Sequence, residues 1–389
     1  AECLSDKATL LLNEGDLGSA DSVVTLAIGM TESEPEPDKS LLLEMADTKA
    51  IIAHRQYKME EAEKYYLRVL ELAEQTRKPT RAVSAHRGLA WLYAAMDEYE
   101  KAKKHGEEGV RLARKLYGPD HPGVAMALGG LAEAHFKGGN TEQAMALREE
   151  AAGILRAKNV ADRLAHELNS LGLAYRYNGQ LDLAIARLEE GVQIRNRIYG
   201  AENARTAETL ANLARCYAQV GMTARSDSCY QAALPVLERL NPNSAFTAWA
   251  NMGYGNLCRD KGRIADADNA YTHAEAMLDS TNAGMRQYRG ECLIEHGYLR
   301  SKQNRHDEAE TMFRSGFAML FGENPEESND LGQAHVLWAA AKVRSGDTKS
   351  AIDHLRQAAE CGITANDAAK FTELASLYTR PDYPFVISP

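Results

Sequence analysis

The side chains that could do chemistry match no catalytic pattern. The eleven histidines include no His-Glu-x-x-His pair and no cluster at the spacing of metal ligands. No serine or cysteine stands in the strained Gly-x-Ser-x-Gly turn that presents a nucleophile. Residues 345–350, Ser-Gly-Asp-Thr-Lys-Ser, resemble a phosphate-binding loop, but the leading glycine of that motif is missing. The sequence therefore predicts a protein that is not an enzyme, with no catalytic residue, no metal site and no cofactor.

The cysteines stand apart from one another. All six occur singly in helical patterns, without a C-x-x-C pair: Cys3, Cys216, Cys229, Cys258, Cys292 and Cys361. Such cysteines are typical of small buried residues in a reducing compartment, and not of a disulfide or zinc framework. We therefore expect a cytoplasmic protein.

The chain is acidic, with 55 Asp and Glu against 45 Lys and Arg and a formal net charge of −10. Nucleic-acid binding needs a concentrated basic face, so this charge balance argues against it. No apolar run approaches the roughly 18 residues needed to cross a bilayer, so we expect no membrane insertion. The first residue is Ala1 and not Met, so we expect a trimmed or processed chain or a piece of a longer protein.

The elements that must position these side chains form a repeat. Turns similar to Gly179–Ala184 recur along the chain, and the last residue of each turn, the marker, is small. Nine markers follow one another at intervals of 40 to 42 residues: Ala20, Ala62, Ala102, Ala144, Ala184, Ser226, Ala267, Ala309 and Ala351. This periodicity indicates one structural unit that is repeated nine times.

Each unit is predicted to contain two helices, helix A and helix B, joined by a tight turn. The turn position five residues before the marker mostly carries residues that tolerate a left-handed backbone: Gly15, Tyr57, Asp97, Gly139, Gly179, Gly221, Gly262, Asn304 and Gly346. Small residues also recur twelve positions before and seven positions after the marker. Helices can approach closely where their side chains are small, so these positions should lie at helix contacts.

These units resemble tetratricopeptide repeats over nearly the whole chain. Helix A carries a large, a small and an aromatic residue at that family's spacing, as in Leu171-Gly172-x-x-Tyr175. Helix B of the eighth unit carries a small, a bulky and a small residue at the family's spacing: Ala309, Phe313 and Gly316. The longer period and the segment Leu116–Pro122 are similar to the repeats of kinesin light chains and of bacterial signalling proteins.

The position of proline explains the long period. The family's proline about twelve residues after the marker is missing, and four prolines follow their markers by 16 or 17 residues instead: Pro79, Pro119, Pro242 and Pro325. Proline interrupts a helix, so helix B should run at least one extra turn before it ends.

The resemblance implies an all-α, right-handed α-solenoid of about nine helical hairpins with a C-terminal capping helix. We expect residues 1–31 to form a short first hairpin and residues 32–40 an acidic linker. Residues 41–362 should form eight consecutive hairpins, and residues 363–389 the capping helix and a proline-containing tail. Nineteen helices and no strand of consequence are predicted.

The same resemblance implies that helix A lines a concave groove that binds a protein or peptide. The groove positions implied by the family pattern are Arg87, Trp91, Phe136, Asn169, Arg176, Tyr177, Arg215, Gln219, Trp249, Asn256, Arg259 and Tyr298. Three of these arginines lie on consecutive A helices, so we expect Arg176, Arg215 and Arg259 to bind an extended acidic segment together. The alternative is a solvated face with incidental charges, since arginine is a common exposed helix residue.

Two adjacent units lack the bulky residue of helix B. Gly106 and Arg148 stand at that position of the third and fourth units. Because each unit contacts mainly its neighbours, we expect this to be the weakest part of the array, with early hydrogen exchange between residues 100 and 155. The alternative is that the aliphatic stem of Arg148 covers the gap left by Gly106.

Three hypotheses for the function remain open on the sequence. The first is a scaffold for another protein, as the interaction region of a larger bacterial signalling protein. The second is a receptor for a short regulatory peptide, which requires a deep enclosed pocket. The third is the regulatory half of an enzyme whose catalytic domain lies outside this chain.

Overall fold

The helices of the protein follow the order that the repeat predicts. The computed structural model describes residues 1–14, 16–278, 283–322 and 329–385, and these residues contain helices and no strand. Alanine and leucine, which favour helix, fill the apolar positions. By its internal contacts the chain divides into two units, Ala1–Ile198 and Tyr199–Pro389, and each is described by itself.

The first unit is formed by five helical hairpins. Its helices are α1 Glu2–Glu14, α2 Leu17–Glu32, α3 Lys39–Arg55, α4 Met59–Gln75, α5 Pro79–Ala95, α6 Tyr99–Tyr117, α7 Pro122–Lys137, α8 Thr141–Ala157, α9 Ala161–Tyr177 and α10 Leu181–Tyr199. The linker between α2 and α3 lies within the predicted range 32–40. Helix α3 begins where the Asp38 side chain accepts hydrogen bonds from the backbone amides of Ser40 and Leu41.

The second unit contains four hairpins and the C-terminal segment. Its helices are α11 Ala204–Gln219, α12 Thr223–Leu240, α13 Ala245–Asp260, α14 Ile264–Met277, α15 Ala283–Lys302, α16 His306–Leu320, α17 Asn329–Arg344, α18 Thr348–Glu360 and α19 Ala365–Ala368. The predicted single capping helix is wrong in detail. The chain forms the four-residue α19 and then a 3-10 helix over Thr372–Leu377.

The predicted turn positions have the left-handed backbone. Eight of the nine have a positive φ: Tyr57, Asp97, Gly139, Gly179, Gly221, Gly262, Asn304 and Gly346. The ninth, Gly15, lies outside the described residues, as does Pro325. The turn prediction is therefore confirmed wherever the structure describes it, including the tyrosine and the aspartate.

The small residues lie at close helix contacts, as predicted. A Cβ atom on Gly172 would lie 2.6 Å from Cγ of Leu188, across the hairpin of α9 and α10. The one marker that is not alanine, Ser226, is fully buried, and its hydroxyl donates a hydrogen bond to the carbonyl of Ala214 at 2.8 Å. This hydrogen bond satisfies a polar group at a position that otherwise holds a methyl group.

The A helices contact one another in sequence. In the first unit α1 contacts α3, α3 contacts α5, and α5 contacts α7, and in the second unit α11, α13, α15 and α17 do the same. Within each unit a B helix also packs on the A helix that follows it, as α6 does on α7. The A helices therefore form one layer in each unit, which we call the A layer.

Helix B is long in the middle of the chain and short at its end. Helices α6 and α10 have 19 residues, whereas α14, α16 and α18 have 14, 15 and 13. The extra turn that the prolines predict is therefore present before Pro119 and before Pro242, where α12 has 18 residues, but not in the last three hairpins. Pro79 itself is the first residue of α5, where a missing backbone N–H costs no hydrogen bond.

Neither Gly106 nor Arg148 leaves a gap. A Cβ atom on Gly106 would lie 2.9 Å from Cα of Leu131, so the glycine lets the backbone of α7 approach α6. Arg148 is 2% exposed and forms ion pairs with Glu133 at 2.7 Å and Glu167 at 2.9 Å. Its guanidinium, and not its aliphatic stem, fills the position. Early hydrogen exchange of this region stays a prediction.

Two partly buried histidine pairs occupy equivalent positions of the third and ninth repeats. Nδ1 of His86 lies 3.0 Å from Nδ1 of His105, and Nδ1 of His335 lies 3.1 Å from Nδ1 of His354. In each pair one Nδ1 donates and the other accepts, which requires the accepting ring to be neutral. The pKa values of His86, His335 and His354 are all lowered to about 4, mainly by burial, and for His86 and His335 also by the charge of the neighbouring histidine.

We expect these pairs to make the protein less stable in acid. Above the unfolded-state pKa of about 6.5 all four rings are neutral in both states and stability is complete. Between about pH 6.5 and 4 the histidines bind protons in the unfolded state but stay largely neutral in the folded state, so the free energy of unfolding falls as the pH is lowered. Melting temperatures from pH 7.5 to 4 measure this effect.

The control for this pH dependence is an exposed histidine. The variant His86→Asn/His335→Asn should melt with a shallower pH dependence than the wild type, because one ring of each pair is gone. His273→Asn should melt with the wild-type pH dependence, since that side chain is 64% exposed. Identical pH dependence in all three proteins would show that the histidine pairs do not govern acid stability.

Candidate functional site

The A layer of the first unit contains a cavity of about 450 Å³, which we call the first cavity. Helices α3, α5, α7 and α9 supply most of its lining, including Asp47, Arg87, Trp91, Arg163 and Glu167. These helices are the first helix of four successive hairpins. The A layer therefore forms the recessed surface that the repeat pattern predicts for binding.

Glycines on the A helices create this recess. A Cβ atom on Gly88 would lie 2.4 Å from the ring of Tyr66, and one on Gly130 would lie 3.0 Å from Cγ of Arg87. Gly130 also leaves room for the indole of Trp91, which would lie 3.3 Å from such a Cβ atom. A larger residue would fill this space, so Gly88 makes room for the ring of Tyr66, and Gly130 makes room for Arg87 and Trp91.

Ionised side chains from three helices meet in the first cavity. Asp47 accepts a hydrogen bond from Arg81 at 3.0 Å, and Glu167 accepts one from Arg148 at 2.9 Å. Burial lowers the pKa of Arg87, and the nearby charge of Arg163 lowers it further. The first cavity therefore contains two carboxylates that are each paired with an arginine, and two guanidinium groups, those of Arg87 and Arg163, that repel each other.

Two aromatic pairs lie on the A layer of the first unit. Trp91, which is 36% exposed, stacks with His166 at 6.3 Å between ring centroids. Phe136 and Tyr177 meet edge to face at 5.5 Å, and Tyr177 is 73% exposed. Exposed aromatic side chains of this kind supply anchoring area for a bound chain. The predicted residues Asn169 and Arg176 are half-buried on α9 beside them.

The A layer of the second unit contains a second cavity, of about 480 Å³. Residues from α11, α13, α15 and α17 line it. The apolar part of this lining includes Met252, Ile294 and Leu337. Glu291 faces this cavity, and burial raises the pKa of its carboxyl group. The second cavity is therefore more acidic than the first.

Several predicted groove residues lie at the second cavity. Arg215 and Asn256 line it, and the guanidinium of Arg215 lies 4.6 Å from the ring centroid of Trp249 on the next A helix. Gln219 is exposed near the C-terminal end of α11. The Asn256 side chain accepts a hydrogen bond from the hydroxyl of Tyr271, so it has a structural partner already.

Arg259 does not lie free on the groove as expected. Its guanidinium is paired with Glu295, lies 3.0 Å from Asp260, and donates to the hydroxyl of Tyr271 at 3.3 Å. The side chain is only 10% exposed. The predicted joint action of Arg176, Arg215 and Arg259 is therefore corrected, because Arg259 acts within the fold.

Tyr298 is also corrected as a binding residue. It is 3% exposed and packs edge to face against Phe371 of the C-terminal segment at 5.6 Å. Its hydroxyl donates to Glu373 at 3.1 Å, and Lys302 pairs with the same carboxylate at 3.3 Å. The C-terminal segment thus covers the groove position that the sequence assigned to a ligand.

Sequence reasoning missed Arg163 and Glu167 as part of the first cavity. Arg163 lies near the start of α9, before the positions that the family pattern assigns to the groove. The polar residues on the first turn of helix A were the signal in the sequence that could have identified Arg163. Glu291 was missed in the second cavity because a single glutamate on a helix carries no pattern.

The described parts of the chain contain neither a cluster of metal ligands nor a helix that could cross a membrane. No three His, Cys, Asp or Glu side chains come together there as ligands for a metal ion. None of the described helices is both long and apolar enough to cross a membrane. All six cysteines are free thiols, and three of them are buried.

Comparison with known proteins identifies the family of the chain and solved structures with a similar fold. The model of a family described as tetratricopeptide repeat matches residues 41–115, 93–157 and 162–239, which together make up half of the chain. No curated protein sequence matches.

Solved structures with the same fold include a Rap protein complexed with competence and sporulation factor. That structure has a TM-score of 0.61 and 13% identity and covers 95% of this chain and 98% of its own. The apo form of the quorum sensor NprR from B. thuringiensis has a TM-score of 0.57 and 12% identity, over 92% of this chain and 98% of its own. BtubC (BKLC) from P. vanneervenii has a TM-score of 0.51 and 19% identity, over 56% of this chain and 90% of its own. At such identities the likeness shows the fold alone.

Proposed function

The chain belongs to the tetratricopeptide repeat family, and on this basis we propose that it is a non-catalytic scaffold that binds a protein or peptide on its A layer. One observation carries the proposal. In each unit the A helices enclose a cavity that contains both charged and aromatic or apolar side chains. Such a combination suits a peptide, because charges fix orientation and apolar area supplies affinity. We place this function in the cytoplasm, in keeping with the six free thiols.

A receptor for a short peptide is the second candidate. It is favoured by the size of the two cavities, about 450 and 480 Å³, which lies within the range of small-ligand sites. The similar Rap protein was solved with a bound factor. A long partner that wraps over many repeats and a short one that fills a cavity differ in how many residues they need for full affinity.

The test uses a displayed library of random twelve-residue peptides, selected on the whole chain. One variant removes aromatic anchors from the first unit, Trp91→Ala/Tyr177→Ala, and another removes polar contacts from the second, Arg215→Ala/Gln219→Ala. We expect at least one of them to weaken the selected peptides by about tenfold or more, since aromatic and arginine anchors dominate interfaces. Fluorescence anisotropy with labelled peptides measures the affinities. Truncation of the peptides then separates the two candidates.

The control lies on a B helix of the first unit. Leu183 and Ile198 on α10 are 44% and 41% exposed, so Leu183→Ala/Ile198→Ala changes exposed apolar area without touching the A layer. This variant should bind like the wild type. If it alone loses the peptides, binding lies on the B helices and the proposal is wrong.

A further inference from the structure

The C-terminal segment, here residues 365–377, lies on the A layer of the second unit. It contains α19 and the 3-10 helix Thr372–Leu377. The 3-10 helix contacts α17, and Phe371 just before it packs edge to face on Tyr298 of α15 at 5.6 Å. The segment therefore rests on the A helices of the last two hairpins, the elements that the repeat pattern assigns to ligand binding.

The surface under this segment continues the wall of the second cavity. On α15, Glu295 lines the cavity, whereas Tyr298 and Lys302 contact the segment. These residues follow one another at intervals of three and four positions, so they lie on one face of the helix. On α17, Leu337 of the cavity wall and Arg344 are seven positions apart and share a face in the same way. The segment thus occupies the part of the A layer directly beside the second cavity.

One carboxylate neutralises the cations of this surface. Oε1 of Glu373 accepts a hydrogen bond from the hydroxyl of Tyr298 at 3.1 Å. The same oxygen lies 3.3 Å from Nζ of Lys302 and 3.6 Å from Nη1 of Arg344. Among the described residues, neither cation forms an ion pair with any other carboxylate. Without the segment, this part of the A layer would be basic and would present an aromatic ring.

The segment itself is held by few contacts. A four-residue helix and a six-residue 3-10 helix contain few backbone hydrogen bonds, and those of a 3-10 helix have poorer geometry. Leu374 and Leu377 are buried, whereas Thr372, Ala375 and Ser376 are exposed. Elements with few buried contacts open locally at a lower free-energy cost than packed helices do. Opening of this segment is therefore less costly than opening of the hairpins that it covers.

We infer that the C-terminal segment is an internal ligand of the A layer and competes with the partner for the surface beside the second cavity. This inference rests on the proposed function and adds its regulation. The contacts of the segment also define the chemistry of the competing partner, an aromatic residue followed two positions later by an aspartate or glutamate, as in Phe371-Thr372-Glu373. Such a pair places a ring on Tyr298 and a carboxylate at the two cations.

The short connection to α18 favours the internal ligand over a free one. Residues 361–364 alone separate α18 from α19. The segment is therefore present at its surface at a high effective concentration, on the order of millimolar. A free peptide of the same sequence should bind only after the internal copy has been weakened.

The experiment uses a labelled peptide with the sequence of residues 369–379 and measures its binding to the full chain by fluorescence anisotropy. The chains compared are the wild type, Glu373→Gln and Phe371→Ala/Glu373→Gln. The peptide should bind the double variant at least about tenfold more tightly than the wild type, because the internal copy has lost its ring and its charge. Glu373→Gln keeps the ring and should give a smaller gain, which tests the contact even if the double variant does not fold.

The control peptide carries the same two replacements as the double variant. It should bind that variant about tenfold or more weakly than the native peptide does. Arg380→Gln is the matched control protein, because it breaks an ion pair with Asp382 at the surface and leaves the A layer untouched. It should bind the native peptide no better than the wild type does.

Hydrogen exchange measures whether the segment opens. The amides of residues 371–378 should exchange faster in Glu373→Gln and in the double variant than in the wild type, while α15 and α17 keep their wild-type rates. Unchanged exchange in both variants would show that the segment is a fixed part of the fold, and would overturn the inference. Faster exchange without binding of the native peptide would overturn it as well.

Selection of the random library on the double variant tests the chemistry of the partner. The enriched peptides should carry an aromatic residue two positions before an aspartate or glutamate more often than those enriched on the wild type. Equal frequencies would show that a partner does not compete with the segment in this way. None of these contrary results touches the proposed function, because selection on the wild type tests it separately.

Discussion

Replacing Arg148 by methionine should destabilise the first unit more than any other single change considered for it. Arg148 is 2% exposed and neutralises Glu167, whose side chain is 7% exposed. Burial alone would raise the pKa of Glu167, but His166 and Arg148 lower it, so the carboxylate is charged. Removing the guanidinium leaves a buried charge without a partner, which costs about 3–5 kcal/mol. Melting temperature and hydrogen exchange of α7 to α9 measure the loss.

A second substitution separates charge from packing. In Arg148→Met/Glu167→Gln the buried carboxylate becomes a neutral amide, so much of the lost stability should return. The control is Arg156→Met on the same helix, which breaks an ion pair with Glu190 in which the side chains are 47% and 34% exposed. That change should cost less than about 1 kcal/mol. Equal losses in Arg148→Met and Arg156→Met would mean that Arg148 contributes no more than a surface ion pair.

The same hydrogen-exchange data test the expectation for residues 100 to 155. If the wild type exchanges there as slowly as in α9 and α10, the buried arginine and its two carboxylates compensate for the missing bulky residues. Faster exchange would show that the buried ion network specifies how these helices pack but stabilises them less than an apolar contact would.

Replacing Arg259 by methionine should have the largest effect in the second unit. Burial alone would lower the pKa of Arg259, but Glu295 and the neighbouring Tyr271 and Asp260 raise it well above its ordinary value. The guanidinium also lies 5.3 Å from the ring centroid of Tyr298. It therefore connects α13, α14 and α15. We expect a loss of about 1.5–3 kcal/mol, the value of a charge-assisted hydrogen bond.

The control for this prediction is Arg215→Met on the preceding A helix. Arg215 lies over Trp249, and a contact of this kind at the surface is worth only about 0.5–1 kcal/mol. The two variants should therefore differ clearly in melting temperature. If Arg259→Met has the same melting temperature as the wild type, Arg259 does not stabilise the fold. The prediction that it binds a ligand would then stand again.

Much of the fold was readable from the sequence because its determinants are local and repeated. A turn position needs a left-handed residue, a close helix contact needs a small one, and nine copies of the pattern reinforce each other. The two histidine pairs could also have been found from the sequence. Both stand sixteen residues before and three after the marker, Ala102 or Ala351, and comparison of these positions would have revealed them.

The cap was less readable because no repeated copy supports it. Its apolar residues predicted one helix, whereas the chain forms α19, capped reciprocally by Thr364 and Asp367, and then a 3-10 helix. A short capped helix and a tight 3-10 turn place Glu373 where it can meet Tyr298, Lys302 and Arg344. Such contacts with distant residues override local preference.

The sequence by itself determined the class of the protein, the order of its helices and the turns. Only the tertiary structure decided which of the predicted arginines are available. Arg259 and Glu295 are 36 residues apart in the chain, Arg148 and Glu167 are 19 apart, and Tyr298 and Glu373 are 75 apart. The physical reason is that helical periodicity fixes the direction of a side chain, while its charge partner depends on which helices pack beside it.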